Sequence, residues 1–224
     1  MAGKKQRKRY NFVLTFILLV LLCVMMYYSR EQGKKRDALV YPESLELAAA
    51  EINGESLTLR DLAFYVAYEE MQVEEQAILY DSEDPGHYWN VRTQNGFTRV
   101  SARDAVMQMA LHDELFYQMA KDEIELDEED EKNLEYVLQD FWEDLTEKEG
   151  EQRLGVTRED ISKTLRKMAY AQKYQEIYAA MHNKETEEYD YTEETYQKLL
   201  EKQDYTINEK VWKRVSLGNV ILDY

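Results

Sequence analysis

Apolar residues recur at helical spacing along most of the chain beyond residue 58. Val106, Met109, Leu115, Phe116, Met119 and Ala120 keep that period in one segment. Ile161, Leu165, Met168 and Ala169, then Tyr170, Tyr174 and Tyr178, keep it in another. Neither glycine nor proline falls between Gly96 and Gly150, as suits long helices. Helix starts are marked by Thr58-Leu59-Arg60-Asp61, Ser101-Ala102-Arg103-Asp104 and Thr157-Arg158-Glu159-Asp160. In each, a hydroxyl accepts a free backbone N–H and an acid three residues on favours the positive helix end. Leu57 with Leu62 and Val156 with Ile161 make hydrophobic staples, and Asp127 and Thr192 serve as further caps. The pattern predicts helices at about 58–79, 101–122, 127–147, 157–182 and 192–202. Two short strands are expected, one ending at Ile52 before the Asn53-Gly54 turn, the other over Val211–Leu222.

One run departs from this alternation. Phe12–Met26 is apolar except for Thr15. A helix over 10–28 would be about 28 Å long, near the thickness of a hydrocarbon core. Phe12 and Phe16 would face lipid, with Tyr27 and Tyr28 at the interface. Lys4, Lys5, Arg7, Lys8 and Arg9 favour a cytoplasmic N-terminus, although Arg30, Lys34, Lys35 and Arg36 reduce the bias. No small-residue cleavage site follows the run, and Leu22 before Cys23 does not suit a lipoprotein signal. The expected organisation is a basic tail and anchor over 1–36, a tether over 37–49 and a domain over 50–224. The expected location is the plasma membrane, with the domain on the extracytoplasmic side.

Charge narrows the function. The chain has 28 Lys+Arg and 45 Asp+Glu, and residues 1–36 hold nine of the bases and one acid. Residues 37–224 therefore carry a net −25, which repels phosphates and argues against nucleic-acid binding. Cys23 is the only cysteine, so the domain has no disulfide, no thiol nucleophile and no cysteine metal site. His87, His112 and His182 form no His-Glu-x-x-His pattern. Asp81–Arg92 resembles a calcium loop at Gly86 but fails at Pro85 and Arg92. Asp127–Glu131 reads as acids at a helix start. Trp89 reads as a structural anchor that plugs its loop into the domain. No cofactor is expected.

The order of these pieces resembles the SurA/PrsA-type N-terminal chaperone domain of the parvulin foldases. The matching residues are Ala50-Glu51-Ile52-Asn53-Gly54-Glu55-Ser56-Leu57-Thr58, then Leu115–Leu126 with Asp127-Glu128-Glu129, then Leu154-Gly155-Val156-Thr157-Arg158-Glu159-Asp160 and Leu165-Arg166-Lys167. The glycine expected before Ile124 is missing. Val215–Leu222 resembles at most the first strand of a parvulin domain, with Asn219 where its histidine would stand. The resemblance thus implies the chaperone half without the isomerase half.

The expected fold class is mainly α: a single transmembrane helix, then a helical SurA/PrsA-like domain with a small β element formed by its terminal strands. The function implied is a membrane-anchored holdase or foldase for unfolded or emerging secreted polypeptides. The alternatives are a non-catalytic scaffold for one envelope partner, and a peptidyl-prolyl isomerase family member. Tyrosines at helical spacing are commonly half-buried packing. Read as a client cradle, the candidates are Tyr65, Tyr68, Phe116, Tyr170, Tyr174 and Tyr178, where amphipathic rings and methionines suit weak, adaptable contacts.

Overall fold

Thr58, Asp127 and Thr157 each close a reciprocal capping box, and these three local signals set the frame of the molecule. In a computed structural model, which describes residues 19–26, 38–93 and 96–224, they open α1 (Leu59–Tyr80), α3 (Glu128–Glu147) and α5 (Arg158–Met181). Each cap contributes about 1 kcal/mol. The remaining helices are α2 (Thr98–Ala120), the short α4 (Gly150–Leu154), α6 (Glu194–Leu200) and α7 (Glu209–Trp212). The five expected helices lie within three residues of α1, α2, α3, α5 and α6.

The start of α2 differs from expectation. Ser101 is not its cap; the helix begins at Thr98, after a hairpin of β3 (Arg92–Thr93) and β4 (Gly96–Phe97). Thr98 donates both its N–H (3.0 Å) and its hydroxyl (3.2 Å) to the Val91 carbonyl, so the loop, not a cap side chain, sets the first turn. Nor does Thr192 cap α6, whose N-cap is Glu193 with no side-chain bond.

The chain divides into two units, residues 1–38 and 39–224. In the first, residues 19–26 are helical and exposed. Here the expected fold class is corrected. The protein is mainly helical with small antiparallel sheets, and among the described residues no helix is long and apolar enough to cross a membrane. Phe12, Phe16, Tyr27 and Tyr28 lie outside the described residues.

In the second unit, β1 (Ala48–Ile52) pairs with β2 (Glu55–Thr58) across Asn53-Gly54, whose φ values of 51° and 86° suit a tight hairpin. On the other edge of β1 lies β5 (Tyr205–Ile207), giving the order β2-β1-β5. Ahead of the boundary expected at residue 50, Tyr41 is buried and donates its hydroxyl to the Leu59 carbonyl at 2.6 Å. Surface ion pairs lie between α3 and α5: Glu131 with Arg166, Glu135 with Arg158, and Asp127 and Asp130 with Lys173.

The strand expected over Val211–Leu222 is also corrected. Residues 209–212 form α7, and 215–222 run as an irregular strap across α1. Glu70, in the middle of α1, accepts the N–H groups of Gly218 (2.6 Å), Val220 (3.1 Å) and Ile221 (2.8 Å). Those are the donors a sheet ladder would need. Val215, Leu217, Val220, Ile221 and Leu222 are buried by the same path, which satisfies the apolar pattern without a strand. Gly218 turns the strap at φ +87°, and a Cβ there would stand 2.6 Å from Cδ2 of the fully buried Trp89. Gly218→Ala combines that close approach with a left-handed backbone. It should lower stability by about 2–4 kcal/mol in a urea melt, and an unchanged midpoint would show that the strap yields freely.

Candidate functional site

Tyr170, Tyr174, Ile177 and Met181 follow one another on α5 at intervals of four, three and four residues. That spacing sets them along one stripe. The core-facing stripe of α5 is a different one, made by Ile161, Thr164, Leu165, Ala171, Gln175 and Ala179. The outer stripe is half-buried at Tyr170 and Tyr174 and opens further at Ile177 (37 % exposed) and Met181 (61 % exposed).

Aromatic rings from α2 and the following turns meet Tyr170 and Tyr178 on α5. Tyr170 meets Tyr117 of α2 edge-on at 5.9 Å, and Lys167 lies 5.4 Å from the Tyr117 ring centre. Tyr174 leads to Tyr178 at 6.4 Å. Tyr178 touches Phe116 (5.8 Å), Tyr189 (5.2 Å) and His182 (4.2 Å). Phe116, fully buried, also contacts Tyr196 and His112. The result is a graded seam, exposed at the α5 stripe and dry at its floor. Burial, then neighbouring Tyr189 and Tyr174, raises the Tyr178 hydroxyl above its usual range, so it stays a neutral donor.

Under the seam lies a buried polar chain. Tyr65 donates to Asp113 Oδ2 at 2.9 Å, Asp113 Oδ1 lies 2.8 Å from His112 Nδ1, and His112 Nε2 lies 3.1 Å from the Tyr189 carbonyl. Both ring nitrogens of His112 face oxygen atoms, one on Asp113 and one on the Tyr189 main chain. Burial, then the Asp113 charge, pushes the Tyr65 hydroxyl well above its ordinary value and keeps it a donor. With a carbonyl, not a hydroxyl, opposite Nε2, the chain has no nucleophile to activate. It ties α1, α2 and the turn before α6 together.

The sequence-predicted residues therefore separate. Phe116, Tyr170, Tyr174 and Tyr178 meet at one seam, with Phe116 in its floor and the tyrosines at or near its surface. Tyr65 is buried in the polar chain. Tyr68, 40 % exposed, lies on α1 and stacks on Phe64, which in turn meets Phe141 at 4.7 Å; this is a second, smaller patch. Trp89 is buried against Gly218. His87 is exposed in its loop, and His182 caps α5 with Nδ1 2.7 Å from the Tyr178 carbonyl.

Sequence reasoning missed Ile177 and Met181, although their spacing from Tyr170 and Tyr174 carried the signal. It also missed Glu70, for which no local signal exists.

Among the described residues no group of three or more His, Cys, Asp or Glu is disposed to hold a metal. A cavity of about 60 Å³ near the starts of α1 and α5 is lined by Arg60, Asp61, Glu114, Asp160, Lys163 and Lys167 among others. Its charges are paired: Arg60 with Glu46 and Asp160, Lys167 with Glu114, and Lys163 with Glu159. Comparison with known proteins finds no matching family model, no matching curated protein and no matching solved structure.

Proposed function

We propose that residues 39–224 form a chaperone-like module that holds apolar segments of unfolded polypeptides against the outer stripe of α5, outside the cytoplasm. The observation that carries this reading is the stripe itself: Tyr170 and Tyr174, half-buried against neighbouring aromatic rings, with Ile177 and Met181 exposed beyond them. Tyrosine offers a broad apolar face with a polar tip, and methionine adapts to varied partners. Such a surface suits weak binding of many sequences. The net −25 of residues 37–224 keeps loaded complexes apart by repulsion. The resemblance to SurA/PrsA-type domains supports the same reading.

The test uses an unfolded protein diluted from denaturant, with light scattering followed in the presence of the full chain. Near-stoichiometric suppression is expected with several unrelated clients. The variant Tyr174→Ser/Ile177→Ser/Met181→Ser changes only partly exposed side chains and should need at least about fivefold more protein, the equivalent of roughly 1 kcal/mol of lost contact. Equal suppression by that variant would remove the stripe from the binding surface. Phe116→Ala is unsuited to the purpose, because it would open a cavity in the floor.

A second reading has one observation in its favour. Intervals of four, three and four residues are also those of a coiled-coil seam. A scaffold that docks one partner helix on α5 would show a single saturable crosslinked species in place of promiscuous binding.

A further inference from the structure

Glu70 is completely buried, and its hydrogen bonds all come from main-chain N–H groups of the strap. What acts on it among the described residues is burial and these main-chain donors. Tyr41, from the turn before β1, faces it but gives its hydroxyl to the Leu59 carbonyl. Arg153 of α4 feels its charge, yet its guanidinium is held by both oxygens of Asp223 at 2.7 Å. On α1 itself, Glu74 is turned to Lys148 and Tyr224, and Glu69 lies towards Tyr191. An ionised Glu70 is thus a buried charge held by dipoles alone, under a strap whose outer end is tied by surface contacts of small worth.

We propose that the strap 215–222 is a pH-responsive latch that opens as pH rises, returning Glu70 to water and uncovering the apolar surface around Trp89. Burial pushes the Glu70 carboxyl up from 4.5 to about 7, although the N–H groups of Ile221, Val220, Gly218 and Leu222 pull it back. Opening restores the ordinary value. The closed strap therefore binds a proton more tightly than the open one. This contribution to closure is fully present below about 4.5 and is lost as pH rises through about 7. Between pH 6 and pH 8 the opening equilibrium grows about tenfold from this group alone.

Amide hydrogen exchange of Gly218, Val220 and Ile221 in the full chain, corrected for the intrinsic pH dependence of exchange, reads the latch directly. Protection should fall about tenfold from pH 6 to pH 8 in the native chain, and should be flat in Glu70→Gln. Burial also pushes Glu69 up to about 7, so Glu69→Gln is the control and should keep the native slope. Constant protection in the native chain, a native slope in Glu70→Gln or a flat profile in Glu69→Gln would each overturn the latch. Should Glu70→Gln fail to fold, the side-chain carboxyl of Glu70 in the native chain decides by NMR titration. A midpoint near 7 supports the latch, and one below about 5 overturns it.

Discussion

Asp113→Ala is expected to be among the most damaging single changes, at about 3–5 kcal/mol of stability. Asp113 is the acceptor for two buried donors at once, the Tyr65 hydroxyl and the His112 Nδ1–H. Both would lose their partner in a region where water does not reach. Tyr65 is 4 % exposed and His112 6 %, so neither orphan can turn outward without moving a helix. An unpaired buried donor costs about 1–3 kcal/mol, and here two are orphaned together. The measurement is a urea melt of Asp113→Ala beside Tyr65→Phe and the double variant. The double variant should fall short of the summed losses, because Tyr65→Phe removes one of the two orphaned donors. A loss below about 1 kcal/mol for Asp113→Ala would mean that the chain is solvated and contributes little to the fold.

Glu70→Ala is expected to be comparably severe, at about 3–5 kcal/mol near pH 6, because three buried main-chain donors lose their acceptor together. Those donors are the N–H groups of Gly218, Val220 and Ile221 in the strap. The loss should shrink as pH rises. A native chain above about pH 7 carries a buried charge on Glu70 that the alanine variant lacks. Thermal melts of both chains at pH 6 and pH 8 give the comparison. A gap that widens with pH would contradict the assigned protonation, and no gap at either pH would show that water replaces the carboxylate.

Two of the differences in element assignment have the same form, a sound local signal overridden by its surroundings. Ser101-Ala102-Arg103-Asp104 carries a sound cap signal, but the β3–β4 hairpin delivers the chain into helix at Thr98 before that signal is reached. Val211, Val215, Val220 and Ile221 carry a sound apolar signal, but Glu70, about 150 residues away in sequence, claims the backbone that a strand would use. In the first case a neighbouring hairpin overrode a local preference, and in the second a long-range contact did. The site divides in the same manner. Helical spacing placed Tyr170, Tyr174 and Tyr178 on one helix. Spacing alone could not say that Phe116 and Tyr65 would be buried, while Met181 would stand open.

By itself, then, the sequence determined the helices opened by Thr58, Asp127 and Thr157, the Asn53-Gly54 hairpin and the acidic character of residues 37–224. Capping, turn geometry and charge act between residues a few positions apart, or sum without regard to position. Only the tertiary structure decided which tyrosines reach the surface, that His112 and Tyr65 share Asp113, and that residues 215–222 become a strap over Glu70. Each depends on partners brought together by the packing of α1, α2 and α5, and burial is a property of that packing and of no single segment.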